Sequence, residues 1–502
     1  MQQNWLDKAV AAVAPRAGAS RVRARLEMAA MQQAMMHYDG ASTGRRTDGW
    51  RRVSTDANVA VQSGAARQRN TARDMVRNDP IARRAKEVIT HNVVGPGIIP
   101  RAKAKTDEAT ARYEDLMVRH FDTTDIDAAG RHDLYGLQQM VMAAVVESGE
   151  ALVRRRRRVA GDGLAVPFQI HVLEADFLDS RVDGPQPNGN SAVQGVEFDV
   201  RGRRVAYWLF DEHPGGAGWK LPQSRRVPAE DVAHIYRADR PGQVRGMTWF
   251  APVMLMMKDF ADYRDARLMR EKIAACFTVF EEDADLSQPG PLGQKQNAAG
   301  EEVDSVAPGM VVRLAPGRTV KFASPPNVTG YNEYVRSIQQ GIAAGVGITY
   351  EALTGDLSGV NFSSGRMGWL ESHRNFDSWQ QHLMITQMCR PVERWFIEAC
   401  GVSGRVDPVS IGWTPPRREM INPSEEIPST RDAIRSGLET PSSAVQRLGR
   451  DPREFFSELA ADFKVLDDLG LTLDCDPRRV SRAGLTQARP QGSVLPGTDS
   501  EE

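Results

Sequence analysis

No stretch of this chain reaches the roughly 18 to 20 consecutive apolar residues that a membrane-spanning helix needs. The opening MQQNWLDKAVAAVAPRAG is too weakly apolar for a secretory signal. An intracellular chain with no membrane partner is expected. Cysteine is scarce: Cys276, Cys389, Cys400 and Cys475 are four in 502 residues, far apart and without CxxC spacing. That excludes a disulfide framework and a zinc module and leaves plain buried thiols. Neither sign of charge prevails, because 64 basic and 65 acidic residues nearly cancel, so the chain lacks the strong positive field of a protein that grips nucleic acid. The sequence holds no GxxxxGK[ST] phosphate loop, no GxSxG nucleophile elbow and no HExxH metal motif. No cofactor and no enzymatic activity are expected.

What is present divides into regions. Residues 56–90 read as helix, interrupted by NDP at 78–80, where Asp79 can cap a new helix with Pro80 in its first position. VVGPGIIP ends that helix, a second helical region runs from Arg112 toward HFDTTDIDAAG, and 134–146 supplies an apolar helix. After Gly149 the pattern changes to short β-rich runs, ALVRRRRR, PFQIHVLEADFL, GVEFDVRGRRVAYWLF and EDVAHIYR, separated by turn residues. These predict an α+β region with a hairpin at DVRGRR.

Residues 248–280 predict one long helix, roughly 45 Å at 1.5 Å per residue, with Phe250, Val253, Met257 and Phe260 on one side and dense charge after Asp262. An acidic, Gly/Pro-rich excursion follows, then GMVVRLAPGRTVKF, two strand-like runs joined by a turn. A further helix is predicted over 331–348, with Tyr334, Ile338 and Ile342 spaced by four. Interior glycine costs about 1 kcal/mol against alanine, so Gly341, Gly345 and Gly347 imply close packing, within one chain or between copies. The run GDLSGVNFSS at 355–364 is expected to be an irregular loop before a long helix over 364–400. Near the C terminus, Thr440 with Pro441 and Asp451 with Pro452 open helices that Gly449 and Gly470 can close. Beyond Asp476 the composition predicts disorder.

Three constellations bear on chemistry. Asp122, Asp125 and Asp127 with Gly130 resemble part of a calcium loop, but Asp133 stands where the glutamate should be. The same aspartates would carry magnesium in an alternative reading as a nuclease, and a monomeric DNA-binding protein is a third reading. His373 and His382, nine residues apart, are too distant on a helix to share a metal. The five arginines 154–158 suggest phosphate contact, yet on a strand only some can face one ligand, and a solvated or subunit-facing role competes.

YDGAS at 38–42, RNDPIARRAKEVITHNVVGPGI at 77–98, RPGQVRGMTWFAPVM at 240–254 and GVGITYEALTGDLSGVNFSSGRMGWLE at 345–371, in this order, resemble the lambda-type family of tailed-phage portal proteins over nearly the whole chain. The resemblance implies an α+β portal fold assembling as a ring of about twelve subunits around a channel at one capsid vertex. It implies an N-terminal wing (1–245), a stem helix (246–280), a clip (281–326), a second stem helix (327–348), a channel loop with wing helix (349–420), a crown (421–475) and a disordered tail (476–502). The channel loop would comprise Asp356, Leu357, Ser358, Gly359, Val360, Asn361, Phe362, Ser363, Ser364 and Gly365, with Arg366 beside it as a DNA contact or as a cap or pair within the wing. Double-stranded DNA would pass through. The implied partners are the terminase large subunit, major capsid and scaffold proteins and a head-tail adaptor. The implied location is the virion, after assembly in the host cytoplasm. Small polar loop residues and near-zero net charge suit DNA that must slide, since each neutralised phosphate adds counterion-release affinity.

Overall fold

Helix punctuation sets the first part of the fold. In the computed structural model, which describes residues 54–216, 223–275, 330–402, 408–416, 422–450 and 452–471, four short strands between 280 and 314 and isolated residues elsewhere, the chain divides after Asp56. The account below concerns the unit from Ala57 onward. Helices α1 (Ala57–Gln62) and α2 (Ala65–Asn78) lead into α3 (Pro80–Val93). Asp79 accepts from the backbone N–H of Ile81, and Pro80 takes the first position, where it has no intrahelical N–H to lose. After β1 (Ile99–Ala104), α4 (Asp107–Phe121) starts at a Thr106 cap. That start lies five residues before Arg112, because Thr106 accepts from Ala109 and Asp107 and Glu108 suit the helix N-terminus. Helix α5 (Leu134–Ser148) begins at Asp133 and ends on Gly149 at φ 93°.

Next come β2 (Glu150–Arg157) and β3 (Phe168–Glu174), then β4 (Gly184–Pro185), β5 (Ser191–Val193), β6 (Val196–Phe198), β7 (Arg204–Phe210), β8 (Ser224–Pro228) and β9 (Val232–Tyr236). They form two antiparallel sheets, ordered β3-β2-β9 and β4-β5-β6-β7-β8. The predicted hairpin is β6–β7, with Gly202 at φ 76° in its turn.

Helix α6 (Met254–Ala275) has 22 described residues, roughly 33 Å, and starts six residues later than the 248–280 expectation. Thr248 accepts from the Phe250 N–H, and Ala251 and Val253 bond three residues back. Those tight turns around Pro252 hold the chain out of the helix until Met254. Phe280 belongs to β10 (Phe280–Glu282), which runs parallel to β13 (Val312–Leu314), while β11 (Lys295–Gln296) pairs with β12 (Glu302–Val303). Most of 281–326, including the second strand-like run, lies outside the described residues, as do YDGAS and nearly all of the tail from 476.

Helices α7 (Tyr331–Val346) and α8 (Tyr350–Thr354) precede α9 (Phe362–Trp379). The expected single helix to residue 400 is interrupted: Gln380–Cys389 is π-helical, with the Arg390 N–H bonded to Ile385, five residues back, before α10 (Arg390–Val402) resumes. Strand β14 (Val409–Thr414) then pairs antiparallel with β1. Helices α11 (Pro423–Arg435), α12 (Pro441–Arg447) and α13 (Pro452–Asp468) follow. Thr440 caps α12 by accepting from Ser443, and Gly449 and Gly470 take positive φ after α12 and α13.

One core runs through these elements, from Ala72, Ile89 and Val141 through Val153, Phe250 and Phe260 to Ile342, Met388, Trp395 and Ile411. A second, smaller core, with Leu152, Leu173, Val196, Tyr207 and Leu209, joins the two sheets. The fold is α+β. Among the described residues no helix is long and apolar enough to cross a membrane.

The large core buries an imidazole. His120 is fully buried against Phe121 and Phe168, with no well-formed hydrogen bond at either ring nitrogen. Burial, weakly opposed by the Phe168 backbone, lowers its pKa from 6.5 to about 4. The unfolded chain therefore binds the proton first, and folding loses stability as pH falls from 6.5 toward 4, by about 3 kcal/mol at most. Urea unfolding at pH 7 and pH 4.5 is expected to show that loss in the wild type and a smaller one in His120→Leu.

Candidate functional site

The resemblance placed function around α6, α7 and the glycine-serine run, and the structure shows how that region is held. At the end of α5, Gly149 and Gly246 cross so closely that a Cβ on either would overlap the other's stretch of backbone. The crossing places Glu150 beside Arg245 inside the protein. The Glu150 carboxylate accepts from Arg245 Nε at 2.8 Å, from the Gly246 N–H at 2.9 Å and from His234 Nε2 at 2.9 Å. Arg245 also donates from Nη1 to the Gln194 carbonyl at 3.0 Å and from Nη2 to the Ala175 carbonyl at 3.3 Å. Burial alone would raise the Glu150 pKa, but the Arg245 charge and the His234 hydrogen bond hold it far below the usual carboxylate range. Burial lowers that of His234 despite Glu150. Four residues after Arg245, Trp249 packs on Trp379 with ring centroids 4.6 Å apart, and the Arg237 guanidinium lies over its indole. Gly347, at φ 84°, ends α7 against the same Trp379.

Helices α6 and α7 pack through small residues. A Cβ at Gly345 would collide with Val253 Cγ1, whereas one at Gly341 would meet only the flexible end of Met256, Sδ at 3.0 Å. The partners of both glycines are side chains of α6 or its entry turn in the same chain. Farther along, Tyr263 stacks on Tyr331 and meets Tyr334 edge-on.

After α8 the run 355–361 is irregular, but it is anchored at its base. Tyr350 Oη donates to Asp356 Oδ2 at 2.9 Å, the Ser358 N–H donates to Oδ1 at 3.0 Å, and the Arg336 guanidinium lies over the Tyr350 ring. Hydrogen bonds from Ser358 and then Tyr350 lower the Asp356 pKa to about 2. Leu357, Ser358, Gly359 and Asn361 are exposed. The expected loop is too long by four residues: Phe362, Ser363, Ser364 and Gly365 form the first turn of α9. Asn361 accepts from the Ser364 N–H and Ser364 Oγ accepts from the Asn361 N–H, a reciprocal cap that starts the helix early. Arg366 Nη1 lies 3.6 Å from Glu425 Oε2 on α11.

The other singled-out residues sit elsewhere. Asp127 accepts the backbone N–H groups of Ala129, Arg131 and His132, Asp122 accepts the Tyr135 hydroxyl, and Asp133 caps α5. Asp122, Asp125 and Asp127 form no metal-sized group. Among the described residues the group that does is Glu174, Asp176 and His213. Two guanidiniums already answer its carboxylates, Arg69 on Asp176 at 2.9 Å and Arg73 on Glu174 at 2.8 Å and Asp176 at 2.6 Å. His373 sits in α9 and His382 in the π-helical segment. Cys389 and Cys400 are buried thiols that form no disulfide. Sequence reasoning missed the Glu150–Arg245–His234 network; its one local signal was a lone acid, Glu150, opening a β-rich run.

Two outcomes follow from this packing. Gly345→Ala is expected to cost about 1–3 kcal/mol through the Val253 clash, partly restored by adding Val253→Ala, while Gly341→Ala gains up to about 1 kcal/mol of helix propensity; thermal unfolding separates the two. Tyr350→Phe is expected to speed amide exchange over 356–361 with little change in the thermal midpoint.

Residues 43–380 match the family described as phage portal protein, lambda family. The chain is 25% identical over 437 residues to a probable portal protein of Halomonas phage phiHAP-1, covering 83% of each. It is 22% identical over 476 residues to the portal protein of Escherichia phage N15, covering 84% of this chain and 88% of that one. A chain in the neck of a native gene transfer agent particle computed with C12 symmetry aligns at a TM-score of 0.40 and 16% identity, covering 80% of this chain and all of that one. The family's match takes in β2, the Glu150–Arg245 crossing, α6, α7 and the run at 355–361, well over half of the 502 residues, and this chain belongs to the lambda family of phage portal proteins.

Proposed function

We propose that copies of this portal protein close into a ring of about twelve around a channel, set at one vertex of a tailed-phage or prophage capsid, through which double-stranded DNA enters during packaging and leaves at ejection. In this reading α6 and α7 are the stem, the residues between them the clip that docks the terminase large subunit and later the head-tail adaptor, and 355–361 the loop beside the DNA. The elements from α1 to β9 with α9 and α10 form the wing, and α11 to α13 the crown. The wing meets capsid and scaffold proteins during assembly in the host cytoplasm. Energy for translocation comes from the docked motor, in keeping with a chain that carries none of the nucleotide-binding or hydrolase motifs sought in its sequence.

The observation that carries this reading is on α6. Val253, Met257 and Phe260 are covered within the chain, but Leu255, Leu268 and Met269 remain 81%, 54% and 57% exposed. Apolar side chains repeated along one long helix are what a neighbouring copy would cover. The loop fits the same picture: its exposed residues, Gly355, Leu357, Ser358, Gly359 and Asn361, carry no charge and offer passing phosphates little to hold.

Negative-stain images and the solution mass of the purified protein test this. Annular particles are expected from the wild type, and Leu268→Glu with Met269→Glu should leave folded monomers with an unchanged circular dichroism spectrum. A wild-type mass of one or two chains under every assembly condition would overturn the ring.

A further inference from the structure

Strand β2 sends its arginines alternately to the two faces of its sheet. On one face Arg155 is buried and pairs with Asp231 at 2.6 Å and with Glu398, and Arg157 reaches Glu230 and Asp231 at 3.1 Å. Arg154 and Arg156 share the other face, beyond Leu152, and Arg158, just past the end of β2, joins that face through Gln169, the cross-strand neighbour of Arg156. Cross-strand register sets Arg154 beside His171 and Val232, and Arg156 beside Gln169. Arg158 Nε donates to Gln169 Oε1 at 2.8 Å, and Arg156 Nη2 lies 3.3 Å from His171 Nδ1.

Among the described residues none of these three arginines pairs with a carboxylate. Elsewhere in the same body Arg69, Arg73, Arg226 and Arg245 each have one. Arg154 and Arg156 are only partly exposed, and after burial their mutual repulsion is the chief influence lowering the Arg156 pKa. Three guanidiniums held together, none of them in an ion pair among the described residues, form a site for an anion supplied from outside.

The shape of the site selects among anions. Successive arginines stand about 6.7 Å apart, two residues along a strand. The positive strip is one strand wide, and Asp211 is near enough to act on Arg156 and Asp127 on His171. A duplex is a broad polyanion whose phosphates would also lie over those carboxylates. An extended peptide presents alternate side chains on one face at the same two-residue repeat, and its carboxylates can reach down to half-buried guanidiniums. We propose that Arg154, Arg156 and Arg158 bind an extended acidic segment of a protein partner, with Asp or Glu at alternate positions and one carboxylate to each guanidinium.

The test uses the full chain and a fluorescent peptide of alternating glutamate and alanine, with a glutamine-alanine peptide and a short DNA duplex as comparisons. The acidic peptide is expected to bind, more weakly as salt rises, and the glutamine peptide not to bind. Arg154→Gln, Arg156→Gln and Arg158→Gln together should weaken acidic-peptide binding about tenfold or more, while Arg157→Gln on the opposite face stays within about threefold of wild type. The triple variant should melt no lower than wild type, because it loses repulsion and no ion pair. If it fails to fold, the exposed Arg158→Gln alone should weaken binding by about threefold. Equal affinity in wild type and variant overturns the proposal, as does duplex binding that needs these arginines when the acidic peptide does not bind.

Discussion

The buried pairing of Glu150 with Arg245 is the constraint on which the rest of the structure depends. An ion pair taken out of water recovers its desolvation cost only when geometry is good and the remaining donors and acceptors are met. Here both carboxylate oxygens accept, and Arg245 spends its other N–H groups on the Gln194 and Ala175 carbonyls. Gln194 lies between β5 and β6 of the five-stranded sheet, Ala175 follows β3 of the three-stranded sheet whose central strand Glu150 opens, and Arg245 stands just before the entry to α6. One carboxylate thus ties two cores to the root of the longest described helix. The glycines at 149 and 246 let the two segments approach closely enough for the pair to form.

From that root the remaining geometry follows by packing. Trp249 meets Trp379 at the junction where α9 gives way to the π-helical segment, and Gly347 closes α7 on the same indole. The segment is held by side chains at both ends: Gln380 donates to the Asn92 and Val93 carbonyls, and Gln387 accepts from the Tyr236 N–H on edge strand β9. Glutamine in a buried stretch is costly unless satisfied, and these two are satisfied by backbone groups at the end of α3 and on β9.

Much of the local structure was legible because it is written in short-range chemistry. Asp79–Pro80, Thr440–Pro441 and the glycines at 449 and 470 act within a turn or two, so reading them needs no knowledge of the fold. The Asn361–Ser364 cap is equally local, but the glycine and serine density around it suggested irregular backbone. The exposed residues of 355–361 and the close fit of Gly345 were visible as composition, whereas the partner of that fit, Val253, was not. Three features had no local signature. The β1–β14 pairing joins distant segments, the π-helical register depends on what Gln380 and Gln387 can reach, and Arg245 finds Glu150 only once the sheet has formed.

The pairing of Ile99–Ala104 with Val409–Thr414 has a temporal side. Its two strands are separated by roughly 310 residues, and a ribosome adding 5–20 residues per second needs about 15 to 60 s to deliver the second after the first. Throughout that interval β1 waits with an unpaired edge while the entire helical hairpin and the loop behind it emerge. The clasp is therefore added only after every element from α4 to α10, so a nascent chain stalled or cleaved before residue 409 presents an open strand to its neighbours on the polysome.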